Sequence, residues 1–178
     1  ACALAVGALI LFTLQASGAD DAIPPDRAAV RDRVQIGRWL RDNAPGTTLI
    51  AVIPAGAIPY ESGLPSIDML GINDEHIAHR DLNLGVFGAG HEKYDSEYVL
   101  DRRPDIIILT DALSARPWRR EDYGVLYGGL IPARIDMLNT PRLWEEYEPR
   151  SAALPEDMWL NLLVRRDAAA LIAKTTQP

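Results

Sequence analysis

The chain has 178 residues, a formal net charge of −7, 48% apolar and 24% charged residues, and a single cysteine. The negative balance excludes a general nucleic-acid binder, whose affinity rests on Lys and Arg neutralising phosphates. With Cys2 alone, an intrachain disulfide and a cysteine-built zinc site are both excluded, so the fold must hold by packing.

Residues 1–18 carry no charge. A run of about 18 such residues is the lower limit for a helix that crosses a bilayer core. The reading adopted is the end of a transmembrane helix. A secretory signal peptide competes with it, because residues 3–14 have the length of its apolar region and Ala16-Ser17-Gly18 offers small residues for cleavage. The basic stretch that opens a signal peptide is missing, and an apolar core helix is a third reading. Cys2 precedes the apolar run, which argues against a lipid anchor. The predicted division is therefore 1–18 the end of a transmembrane helix, 19–25 a linker, 26–167 an α/β domain, and 168–178 a helix end and tail. The remaining chain of about 150 residues suffices for one well-buried domain.

Residues 26–43 place Val30, Val34, Ile36, Gly37 and Leu40 on one stripe at helical spacing, with Asp26 as a cap and Asn43, Pro45 and Gly46 as the stop. The apolar run 49–53 follows and reads as a strand buried on both faces. Gly56 suits a tight turn, Pro59 a first helical position and Gly63 a helix end. Residues 66–70 read as a second strand ended by Gly71, after which Asn73 is the expected cap of a helix opened by Asp74 and Glu75. Asp95 is expected to cap a helix over 96–103, stopped by Pro104, and 105–109 is the third strand. From 110 to 138 the pattern weakens into loops and short helical turns, punctuated by Pro117, Gly124, Gly128, Gly129 and Pro132. Residues 159–164 form a last apolar run, read as a strand, and residues 175–178 are expected to fray. Strands separated by helices predict a Rossmann-like open, mostly parallel sheet with flanking helices, preceded by one apolar helix.

Four segments stand out: G-A-I-P-Y at 56–60, I-D-M-L-G-I-N-D at 67–74, G-H-E-K-Y at 90–94 and R-R-P-D at 102–105. Together they resemble the extracytoplasmic C-terminal domain of bacterial GT-C integral-membrane glycosyltransferases, and in particular the terminal arabinofuranosyltransferases of cell-wall assembly. The resemblance covers roughly residues 36–167, and L-L-V-R-R-D at 162–167 fits it too. It implies transfer of a sugar from a polyprenyl-phosphate donor to a cell-envelope glycan or protein acceptor. It also implies a location at the cell membrane, with this domain outside the cytoplasm. The acidic exit at Asp20-Asp21 agrees with that side, whereas Arg27, Arg31 and Arg33 weigh against it under the positive-inside rule. The family's catalytic base is expected on a loop between membrane spans that this chain does not contain, so no residue here receives a catalytic role. The donor would be held by that other half, and this domain would bind or support the acceptor.

The candidate ligand-facing residues are Tyr60, Asp68, Asn73, Asp74, His76, His91 and Glu92. Asp68 lies inside an apolar strand, where an ionised carboxylate needs a partner. It either meets acceptor hydroxyls at the carboxyl end of the sheet, or caps a nearby loop or pairs with an Arg. Asn73 and Asp74 are a helix cap and first-turn acid, or a glycan-contacting pair. His76 and His79, three apart on a predicted helix, could share a metal only if a third ligand such as His91 or Glu92 arrived from elsewhere, and no metal is expected. Gly85, Gly88 and Gly90 precede His91, Glu92 and Lys93 in an order that fits neither the dinucleotide fingerprint nor the phosphate-binding loop, so no cofactor is expected. This segment reads as a shaped loop presenting His91 and Glu92, with Tyr60 as a sugar-stacking residue. Trp118, Tyr123, Tyr127, Trp144 and Tyr147 read mainly as core, and Arg116, Arg119 and Arg120 as a solvated basic patch or a contact to lipid headgroups or polyprenyl phosphate. Two further functional readings remain at this level. One is a secreted glycan-binding module released from a signal peptide, and the other a structural domain that stabilises a membrane half.

Overall fold

The computed structural model describes residues 24–82, 84–85, 90–110, 112–124, 131–172 and 174–177. The chain divides into two compact units, Ala1–Arg31 and Asp32–Pro178. The described part of the first is the opening of helix α1 (Pro24–Asn43), two residues ahead of the expected start. Pro24 and Pro25 suit that end, where a missing N–H costs no intrahelical bond. Among the described residues no helix is long and apolar enough to cross a membrane. The apolar run expected to form a transmembrane helix, residues 1–18, lies outside them.

The second unit follows a strand and helix rhythm at first. β1 (Ile50–Val52) leads to α2 (Ala57–Ser62), β2 (Ser66–Asp68), α3 (Glu75–Ala78), α4 (Ser96–Asp101) and β3 (Ile106–Ile108). β1 pairs in parallel with β2 on one side and β3 on the other. The chain then departs from the expected pattern. β4 (Leu113–Ser114), a 3-10 turn (Arg120–Gly124), α5 (Pro132–Asn139) and α6 (Pro141–Glu146) lead into a long hairpin of β5 (Tyr147–Leu154) and β6 (Met158–Arg165). β6 lies antiparallel to β5 along one edge, and antiparallel to β3 and then β4 along the other. Among the described residues two strand pairings are thus parallel and three antiparallel, which overturns the expectation of a Rossmann-like, mostly parallel sheet.

The physical reason lies in residues 147–154, YEPRSAAL, which lack the alternation or apolar run of a strand. Pro149 is tolerated because, among the described residues, the edge of β5 away from β6 carries a bridge at Ser151 to Thr176 and no full strand. Glu148 and Arg150 are neutralised locally, Arg150 Nη1 donating to Glu148 Oε1 at 2.9 Å and Arg166 Nη1 to Glu148 Oε2 at 3.0 Å. The hairpin turns at residues 155–157, with Glu156 at φ 62° and Asp157 at φ 55°.

Both faces of the sheet are covered. Ala51, Ile67, Ile107 and Leu163 face a cluster built with Ile77, Leu100, Tyr123, Met137 and Leu143. Ile50, Val52, Ile106, Ile108, Leu162 and Val164 face the other, built with Ile36 and Leu40 of α1 and Ile58 of α2. Gly37 permits the close crossing of α1 and α2, since a Cβ there would lie 2.7 Å from Glu61 Cβ and 2.8 Å from the Ile58 carbonyl oxygen. The expected fraying of 175–178 does not hold for Thr175 and Thr176. Thr176 exchanges backbone hydrogen bonds of 2.9 Å with Ser151, and Thr175 is buried.

Candidate functional site

The carboxyl end of β2 organises the site. Asp68, its last residue, is 5% exposed, and both its oxygens are taken by the following loop. Leu70 N–H donates to Oδ1 at 2.9 Å and Asn73 N–H to Oδ2 at 2.7 Å. The carboxylate therefore shapes the loop, the loop-capping alternative set out above. Gly71, at φ 76°, completes the bend, and its missing Cβ would fall 2.7 Å from Ala78 N. Asp74, and not Asn73, caps α3, its Oδ1 accepting from Ile77 N–H at 3.1 Å.

α3 and α4 meet beside this loop around an open groove of about 780 Å³, lined by Asn73, Asp74, Glu75, His76, His79, Arg80, Asp81, Tyr98 and Arg102. The His76 and Tyr98 rings stack face to face, with centroids 3.9 Å apart and planes 16° apart. Tyr98 Oη donates to Asp74 Oδ2 at 3.1 Å and accepts from Arg102 Nη1 at 2.7 Å. His76 Nε2 lies 2.9 Å from Asp95 Oδ2, and Arg80 Nε 3.3 Å from the same oxygen. Asp95 also caps α4, as expected, by accepting from Tyr98 N–H at 3.1 Å. Burial pushes the Asp95 carboxyl up, but the His76 hydrogen bond, the Tyr98 N–H and the Arg80 charge together hold it below the usual carboxylate range. A ring stack, an exposed amide and fixed cations and carboxylates share one open surface.

Of the predicted residues, Asn73, Asp74 and His76 come together in this groove. Tyr60 stands 86% exposed on α2 and is not part of the groove lining. His91 and Glu92 are also outside the lining, and Glu92 Oε1 accepts from Gly85 N–H at 2.6 Å. Their loop reaches the groove through Lys93, whose Nζ donates to the Arg80 carbonyl. Gly88 lies outside the described residues. His79 turns its Nδ1 to the Glu75 carbonyl at 2.7 Å, and no group of three metal-ligating side chains occurs among the described residues.

Sequence reading missed Arg80, Tyr98 and Arg102. Tyr98 and Arg102 are four apart, a spacing that places them on one helical face, but nothing local says that this face meets α3. Trp118, Tyr123 and Tyr147 belong to the core, and Trp144 packs against it. Trp118 and Tyr123 meet edge to face at 5.3 Å, Tyr123 and Trp144 at 6.2 Å, and the buried Tyr147 hydroxyl donates to the Pro104 carbonyl at 2.7 Å. Tyr127 lies outside the described residues. Arg116 forks onto Asp122 at 2.8 and 2.5 Å, and the Arg120 guanidinium sits 4.4 Å from the centre of the Trp144 ring.

A family model described as Domain of unknown function (DUF8728) matches residues 23–168. No curated protein and no solved structure matches the chain.

Proposed function

The chain belongs to this DUF8728 family, and we propose that its domain is the acceptor-binding part of a membrane glycosyltransferase acting outside the cytoplasm. The reading joins the resemblance of segments 56–60, 67–74, 90–94 and 102–105 to the groove between α3 and α4. The observation that carries it is the convergence of Asn73 and Asp74, from the segment 67–74, with His76, Tyr98 and Arg102 in one groove beside the loop that follows β2. Carboxylates, an amide and the Arg80 guanidinium arranged around a ring stack can meet sugar hydroxyls, and the stack can meet the apolar face of a sugar ring. The sugar is delivered from a polyprenyl-phosphate donor held in the membrane, and no cofactor enters this domain's part.

The test is acceptor kinetics in membranes carrying the complete polypeptide. Asn73→Ala raises the KM for an oligosaccharide acceptor about tenfold and leaves the KM for the polyprenyl-phosphate donor unchanged. No transfer by the wild-type membranes sinks the transferase reading, and equal acceptor KM values sink the groove's part in it.

A further inference from the structure

Tyr98 and His76 form a two-ring stack with an inside and an outside. Tyr98 is half-buried and packs against the core cluster under the sheet, while 47% of the His76 side chain is exposed. One face of the imidazole is covered by Tyr98, so its exposure is shared between the ring edges and the opposite, outer face. Both rings are held by groups on α4 or at its ends. Arg102 donates to the Tyr98 hydroxyl, which leaves the hydroxyl proton for Asp74, and Asp95 binds the imidazole at Nε2. An imidazole held at its edge and backed by a second ring is a fixed flat platform, and flat platforms of this kind take the apolar face of a ring ligand.

We propose that the outer face of His76 is the stacking platform for one sugar ring of the ligand, and that Arg102 is a positioning residue that orients this platform through Tyr98. The inference rests on the groove being the acceptor site and deepens it by assigning the contact. It predicts that the aromatic plane at 76 matters more than its nitrogens. It also predicts that Arg102 acts without touching the sugar.

The experiment is a titration of the full 178-residue chain, isotopically labelled, with methyl arabinofuranoside and methyl mannopyranoside, followed by amide and His ring-proton shifts. Expected are shifts at Asn73, Asp74 and the His76 ring protons on binding, about fivefold weaker binding for His76→Ala, and near wild-type binding for His76→Phe. Arg102→Ala moves the His76 ring-proton resonances in the unliganded protein and weakens binding about threefold, and Arg102→Lys, which keeps a donor and a cation, restores most of both. If the groove amides respond but His76→Ala binds as the wild type does, the platform is wrong while the acceptor groove stands. Wild-type resonances and affinity in Arg102→Ala overturn the positioning part. Groove amides silent to both glycosides overturn the acceptor reading itself, and the platform with it.

Discussion

Asp105 and Arg165 are joined across the seam of the sheet, Arg165 Nη2 donating to Asp105 Oδ1 at 2.9 Å. Asp105 immediately precedes the parallel strand β3, and Arg165 ends the antiparallel strand β6. The other oxygen of Asp105 accepts from Leu49 N–H at 2.8 Å, just ahead of β1. One carboxylate thus ties together the three strands where the sheet changes from parallel to antiparallel.

Asp105→Ala is expected to destabilise the protein by about 2–3 kcal/mol, because the Leu49 N–H and the largely buried Arg165 lose a partner together. Urea denaturation measures it. A loss below about 0.5 kcal/mol would mean that the seam holds by backbone pairing alone.

Asn161 plays the equivalent part on the hairpin side. Its Oδ1 accepts from Trp118 N–H and Ser151 Oγ, both at 2.8 Å, and its Nδ2 donates to Ser114 Oγ at 2.7 Å. The residue is 1% exposed. Asn161→Leu should cost about 3 kcal/mol, since several buried polar groups are left unpaired, and hydrogen exchange at the Trp118 amide should rise with it. Unchanged protection at Trp118 would contradict this account.

Gly71 is required on two counts, a left-handed backbone at φ 76° and the absence of a Cβ beside Ala78 N. Gly71→Ala is expected to lower stability by about 2 kcal/mol or more, and to displace the amide resonances of Asn73 and Asp74. Gly63, also left-handed at φ 66° but with open space around it, should lose only about 1 kcal/mol on the same change. Equal losses at the two sites would remove the steric part of the argument.

Acid should weaken the molecule through its hydrogen-bonded aspartates. The Arg116 fork and the Arg119 N–H hold the Asp122 carboxyl down from 3.8 to about 2. A carboxyl depressed on folding contributes stability that is complete above its unfolded value, near 4, and lost as pH falls through its folded value, near 2. Denaturation midpoints taken from pH 6 to pH 2.5 should therefore fall more steeply in the wild type than in Asp122→Asn. The difference at neutral pH is on the order of 1 kcal/mol for a pair at the surface. Parallel curves would show that Asp122 is not a source of acid sensitivity.

The elements whose signals are local were legible in the sequence. The stripe of Ile36 and Leu40, the buried runs around Val52 and Ile107, the Asp95 cap and the left-handed stops at Gly63 and Gly71 each follow from spacing, side-chain shape or backbone freedom within a few residues. Three of the groove residues, Asn73, Asp74 and His76, were found for the same reason, since they crowd into one loop and helix start. What required the tertiary structure is everything settled by distant partners. β5 carries a proline and two charges that become acceptable only at a sheet edge, with β6 on one side and Arg166 against Glu148. Hydrogen-bond direction in a sheet is a property of two strands, so no single run could show that β6 enters antiparallel to β3. Asp68 reads alike as ligand or loop carboxylate until the Leu70 and Asn73 amides are seen on its two oxygens. Tyr98 and Arg102 join His76 only because α3 and α4 pack side by side, across a separation in sequence that periodicity and propensity do not span.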